Sequence, residues 1–225
     1  MVQWVPAFLR ERVKTILSVG QRRRGALRER IGRLQFEFLV GRGLRPEHSL
    51  LDVGCGNLRG GVHFIRYLEP GHYYGIDKNP ERLDQGRREV KRLGLADKHP
   101  RLVQIEDFNF QALNHTFDYA LAQSLFTHLP LNSILRCLVM IETVLRPGGE
   151  FYATFFENPH GKSHLAPIPH PRVDGPDFLT YPDRDPYHYD IQTFHWICEG
   201  TGLEVESIGE WNHPRDQRLL CFRRR

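Results

Sequence analysis

LLDVGCGNLRGG, residues 50–61, places an apolar run directly before a glycine-rich turn. Glycine turns between a strand and a helix let the backbone approach a ligand at the carboxyl edge of a parallel sheet. Single residues exclude two phosphate-binding patterns. A dinucleotide fingerprint G-x-G-x-x-G would need glycine at position 59, which is Arg59, and the phosphate loop G-x-x-x-x-G-K-[ST] would need a lysine that does not follow these glycines. What the stretch does carry is Asp52, just ahead of Gly54 and Gly56, a carboxylate suited to a cationic ligand group rather than to a pyrophosphate.

Outward from this turn, apolar patterning predicts strands at 49–53, 73–77, 102–105, 117–122 and 150–156. Helices fall between them at 60–68 and 81–93, and along the face Ile134, Leu135, Leu138, Ile141 and Leu145, which stops at the turn RPGG, residues 146–149. Such alternation is the signature of a mostly parallel sheet covered by helices, an α/β fold. A helix over 191–200, capped by Asp190, and two last strands, 203–211 and 217–222, around NHPRD should close the chain with an antiparallel hairpin. Between them, prolines 159, 167, 169, 171, 176, 182 and 186 predict an irregular insertion over 157–190, and a long insertion in a compact fold reads as a functional lid.

The formal charge of +4 is unevenly distributed. Residues 1–45 hold eleven Lys or Arg against three acids, so a basic N-terminal extension precedes a mildly acidic body over 46–225. Apolar residues at helical spacing from Phe8 to Phe38, broken near Gly20, predict amphipathic helices that cap the core and show their arginines to water. Contact with a membrane surface, an anionic substrate or RNA is the other use of such a face. A chain of 225 residues with 40% hydrophobic residues suffices for one core. No run of 18 apolar residues or secretory signal is visible, so a cytoplasmic location is expected. The four scattered cysteines read as reduced packing residues, and His160, His164 and His170 match no metal-ligand spacing, so no metal is expected.

The second predicted strand ends in Asp77, 21 residues after Gly56, where an acid takes a ribose diol. A ligand with both a ribose and a positive charge is called for. S-adenosylmethionine, with its sulfonium and amino groups, meets both demands.

D-x-G-x-G at 52–56, GID at 75–77, EDF at 106–108, FDYALA at 117–122 and LRPGG at 145–149 together resemble, in order, the motifs of class I S-adenosylmethionine-dependent methyltransferases, over about residues 46–225. The resemblance implies a Rossmann-like methyltransferase fold with a mostly parallel seven-stranded sheet, an antiparallel C-terminal hairpin and an N-terminal helical extension. The usual third glycine of the loop is Leu58 here. GCGNLRGG is similar to a bacterial subgroup reading GCGxLRGG, to which HPRDQRLL, residues 213–220, also belongs.

Carried over, the resemblance implies that Gly54 and Gly56 approach the cofactor, Asp52 supports its amino group, and Asp77 takes the ribose hydroxyls. Asn57 and Lys78 join them as cofactor contacts, Asp107 meets the adenine amine and Phe108 its ring, and Gln123 and Ser124 line the methyl-transfer edge. Methyl transfer is an in-line displacement in which alignment does most of the work. A hydroxyl acceptor also needs a base, and a neutral imidazole serves near pH 7. His128, in SLFTHLP, and His188, in PYHYD, are the candidates, with Arg59, Glu157 and Tyr189 as acceptor contacts. The insertion, rich in Tyr, Phe, His and Pro, over an acidic core fits a small-molecule acceptor such as a sugar or glycan precursor, O-methylated, better than nucleic acid. Methylation of RNA or protein gripped by the basic helices, and a non-catalytic S-adenosylmethionine-binding protein, are the alternatives.

Overall fold

The computed structural model describes residues 25–27, 29–161, 163–171 and 177–225; the expected helix break near Gly20 and most of the basic extension lie outside them. Residues 25–27 are helical, and helix α1 covers residues 29–41. It continues as β1 (Leu50–Val53), α2 (Gly61–Tyr67), β2 (Tyr73–Asp77), α3 (Pro80–Arg92), β3 (Arg101–Gln104), β4 (Phe117–Ala122), α4 (Leu131–Glu142) and β5 (Leu145–Glu157). Three short strands follow, β6 (Ile168–His170), β7 (Phe178–Thr180) and β8 (His188–Tyr189), then α5 (Ile191–Cys198), β9 (Leu203–Gly209) and β10 (Arg218–Arg224).

The main sheet has the order β3-β2-β1-β4-β5-β10-β9, parallel through β5, with β10 antiparallel between β5 and β9. This is the Rossmann-like methyltransferase fold. Its central strands are buried on both faces, as parallel sheets between helical layers must be. Alternate residues feed opposite cores: Leu51, Tyr74, Phe151 and Phe222 pack with α4 and α5, while Leu50, Tyr73, Leu121 and Tyr152 pack with α2, α3 and Leu39 of α1. Phe38 fixes α1 to the sheet through edge contacts with Tyr152 and Trp211, at ring centroid distances of 5.3 and 5.6 Å.

The insertion differs from the irregular lid expected over 157–190. Strands β6 and β7 form an antiparallel ribbon, and β8 is an eighth strand of the main sheet, parallel to β5 with Phe156 opposite His188 and Glu157 opposite Tyr189. The reason is that β5 outruns β4: its last pairing with β4 is at Ala153, so Phe156 and Glu157 offer unpaired backbone that β8 takes up. The Tyr187 amide further donates to the Thr127 carbonyl, 2.8 Å away. Pro169 is tolerated because β6 is an edge of its small ribbon.

Candidate active site

The carboxyl ends of β1, β2 and β4 open into a cleft of about 1100 Å³. The turn after β1 shapes one wall. Gly54 and Gly56 have φ of +76° and +57°, conformations costly for other residues, and beside Gly56 no atom stands within 4 Å of where a Cβ would be. Leu58 replaces the third glycine at φ +66° and is buried, its side chain occupying space left by Gly61 and by Gly86 of α3. The turn is therefore anchored by an apolar plug.

Asp77, at the end of β2, is buried and braces this turn: its Oδ2 accepts the Gly56 amide at 2.9 Å and its Oδ1 the Asn79 amide at 2.8 Å. Asn79 in turn caps α3, accepting from the Glu81 and Arg82 amides. Asp52 lies deeper, and its Oδ2 accepts the Tyr73 hydroxyl at 2.7 Å. Burial, with Asp77 nearby, pushes the Asp52 carboxyl up to about 7 despite the tyrosine. Asp52, Asp77, Asn57, Lys78, Glu106 and Phe108 all border the cleft, Asn57 bonding to Gln85 of α3. Phe108 reaches it from a left-handed backbone at φ +61°. Open space at Gly56 beside two buried carboxylates fits a ligand that carries a ribose and a positive charge.

Asp107 is the exception on this side. It is exposed, its Oδ1 accepts the Asn109 amide at 3.2 Å, and it stands outside the cleft; the acid facing inward is its neighbour Glu106. The intervening turn, not the EDF pattern, decides which carboxylate points in.

On the opposite side Gln123, Ser124, Arg59 and His128 border the cleft, joined by Gln35 of α1, Asp185 of the insertion and Arg215 of the β9–β10 connection. Ser124 has φ +55° and its amide donates to Thr154 Oγ1 at 2.7 Å. His128, on a 310 turn (Phe126–His128), sets its Nδ1 2.5 Å from Asp185 Oδ1. An ionised carboxylate only accepts, so Nδ1 carries the proton and Nε2 is the ring nitrogen left to take one.

His188, Tyr189 and Glu157 are not brought to the cleft. Pairing with β5 buries His188, whose Nδ1 lies 2.9 Å from Thr180 Oγ1. Desolvation holds His188 below the usual histidine range. The Tyr189 hydroxyl donates to the Leu129 carbonyl at 2.5 Å, and Glu157 is paired with Arg218 at 3.4 Å. Among the described residues no group of three or more His, Cys, Asp or Glu could hold a metal ion, and no helix is long and apolar enough to cross a membrane.

Sequence reasoning missed Asp185, Gln35, Arg215 and the buried pair His213 and Gln217 beneath Gln123. Only HPRDQRLL signalled the last three, and without a role. Burial, with the Arg215, Arg59 and Arg30 charges nearby, drives the His213 imidazole down to about 3, so it is neutral.

A family model described as a methyltransferase domain matches residues 44–170. The cycloartenol-C-24-methyltransferase of Arabidopsis thaliana is 30% identical over 128 residues, 57% of this chain and 37% of that protein. The phthiotriol/phenolphthiotriol dimycocerosates methyltransferase of Mycobacterium leprae (strain TN) is 30% identical over 103 residues, 44% of this chain and 34% of that protein. The chain thus spans little more than a third of the length of these curated relatives. Among solved structures, SAM-bound CalS10, an amino pentose methyltransferase from Micromonospora echinaspora, superposes with a TM-score of 0.64 at 16% identity, covering 93% of this chain and 97% of that one. The magnesium protoporphyrin IX methyltransferase ChlM of Synechocystis PCC 6803 gives a TM-score of 0.62 at 13% identity, covering 87% and 81%. Both share the fold.

Proposed function

The chain belongs to the methyltransferase domain family, and on that premise we propose that it is an S-adenosylmethionine-dependent O-methyltransferase acting on a small polar acceptor such as a sugar or glycan precursor. The carrying observation is the His128–Asp185 pair at the cleft, 2.5 Å apart. S-adenosylmethionine, when bound, supplies a methyl group activated on a sulfonium for in-line transfer. Gly54 and Gly56 bring backbone against the donor, Asp77 holds that turn while offering its remaining lone pairs to a ribose, and Asp52 faces the cationic part. His128 Nε2 accepts the proton of the acceptor hydroxyl, and Asp185 orients the ring and stabilises the imidazolium that forms.

The acceptors in the structural neighbours' names differ widely, so the class is read from this wall, not from them. A neutral amine is nucleophilic enough to attack before it sheds a proton, whereas a hydroxyl needs its proton taken at or during transfer; an oriented histidine favours the hydroxyl. GCGNLRGG and HPRDQRLL support the narrower bacterial subgroup, since each contributes an arginine, Arg59 and Arg215, to the same cleft.

Calorimetric titration with S-adenosylmethionine beside NAD tests the donor, and release of S-adenosylhomocysteine across a panel of sugars tests the acceptor. Micromolar binding of the sulfonium compound and turnover with a hydroxyl acceptor are expected. Binding of NAD alone would overturn the reading.

A further inference from the structure

The cleft is unevenly charged. Asp52, Asp77, Glu81 and Glu106, with Lys78 and Arg82, line it along β1 to β3, whereas Arg59 and Arg215, whose charges both bear on His213, line it together with Asp185. Gln123 borders the same cleft and abuts His213. Its Nε2 stands 3.0 Å from Ser124 Oγ, 3.1 Å from His213 Nε2 and 3.0 Å from Gln217 Oε1, while its Oε1 is buried without a partner among the described residues. The two heads of a glutamine amide are alike in shape but not in bonding. His213 Nδ1 accepts the Arg215 amide at 3.3 Å, so in the neutral ring Nε2 bears the proton and requires an oxygen opposite. Turned together with the amide of Gln217, whose nitrogen then donates to it in place of the facing oxygen, the Gln123 amide satisfies His213 and leaves an N–H pair where the orphaned oxygen stood. A buried polar head without a protein partner calls for one from a ligand.

We infer that Arg59, Arg215 and the amide of Gln123 form a subsite for an anionic group of the acceptor, a carboxylate or phosphate, at the wall opposite the donor. The inference rests on the methyltransferase reading and narrows its acceptor to an anionic one, a sugar acid or sugar phosphate in place of a neutral sugar. Guanidinium groups suit either anion, because their paired N–H groups match its oxygens. α1 supports the subsite from behind: Gly32 leaves room for the Arg59 carbonyl and Gly60 for the Gln35 amide, and in each case a Cβ would collide with the neighbour named.

The test uses the full chain saturated with S-adenosylhomocysteine, so that the amino-acid carboxylate of the donor is in place, titrated separately with inorganic phosphate and with acetate. Binding of at least one anion, weakened tenfold or more in Arg215→Gln and in Arg59→Gln and reduced by added salt, is expected; which anion binds tells phosphate from carboxylate. No binding of either at 10 mM would overturn the inference while leaving the methyltransferase reading intact. So would a tenfold loss of S-adenosylmethionine affinity in Arg215→Gln that is absent for decarboxylated S-adenosylmethionine, since the arginine would then hold the donor's own carboxylate. Failure of the unmodified protein to bind S-adenosylhomocysteine sinks both readings together. Unchanged melting temperature and S-adenosylhomocysteine affinity in the variants exclude misfolding; if Arg215→Gln is unstable, Arg59→Gln carries the comparison, with the same tenfold loss expected.

Discussion

The Tyr73 hydroxyl donates a 2.7 Å hydrogen bond to Oδ2 of Asp52 from the adjacent strand, and the two residues meet beneath the glycine turn. Gly61 makes this possible, since a Cβ there would strike the tyrosine hydroxyl. Asp52 is thus a buried acid with one neutral donor, raised to about 7 chiefly by desolvation.

On the proposed reading a cationic donor binds the ionised form of Asp52. Its affinity should tighten about tenfold from pH 6 to pH 8, levelling off above, as the ionised fraction of a group near 7 rises. Binding near pH 7 should release protons, so the calorimetric heat should vary with the ionisation enthalpy of the buffer. Asp52→Asn should abolish both effects. For stability the sign is the reverse: a folded-state value raised from 3.8 to about 7 means the unliganded protein loses this contribution as pH climbs through that interval.

Replacing Asp185 by Asn should lower turnover on a hydroxyl acceptor by on the order of tenfold or more, and His128→Ala by on the order of a hundredfold. Donor affinity should stay within about threefold in both, the distinction that separates a base from a binding residue. Full turnover in His128→Ala would remove the histidine from the chemistry.

At Gly32 the usual helix rule should invert. Alanine in a helix interior gains about 1 kcal/mol over glycine, yet here the new Cβ meets the Arg59 carbonyl oxygen, an unyielding backbone atom. Gly32→Ala should therefore lower the melting temperature, while Gly41→Ala, with nothing within 4 Å of its Cβ, should not. Equal melting temperatures would show that α1 can shift without cost.

Acid should loosen the floor of the acceptor side. His213 is depressed from 6.5 to about 3 by burial and by arginine charges, so its neutral form stabilises the fold above pH 6.5 and that contribution is lost as pH falls toward 3. His170 and His188 are lowered too and add in the same direction. Thermal melting from pH 7 to pH 4 should fall less steeply in His213→Gln than in the unmodified chain.

The parallel sheet was legible because strands such as Leu50–Val53 are buried on both faces and read as unbroken apolar runs. Asp77 and the glycine turn were legible for a related reason: the backbone they serve is local. β8 was not, because a two-residue strand has no pattern of its own and exists only through the overhang of β5. Asp185 was hidden likewise, since its meaning depends on a contact with His128, 57 residues away. Asp107 and Glu106 were a choice between adjacent acids that only the turn geometry makes. His188 reads as a base candidate while 157–190 reads as an irregular lid over the cleft, and only its pairing with β5 shows that it is buried.

Joining β8 to β5 also governs how the cleft admits a ligand. A segment hydrogen-bonded into the sheet at Phe156 and Glu157, and tied again at Thr127 and Leu129, cannot swing aside without local unfolding of the sheet edge. The wall carrying Asp185 is consequently a fixed template rather than a hinged cover, and it meets each arriving molecule already shaped. Selection there falls to steric exclusion at first encounter, with the ordering entropy of that wall met during folding and not during each turnover.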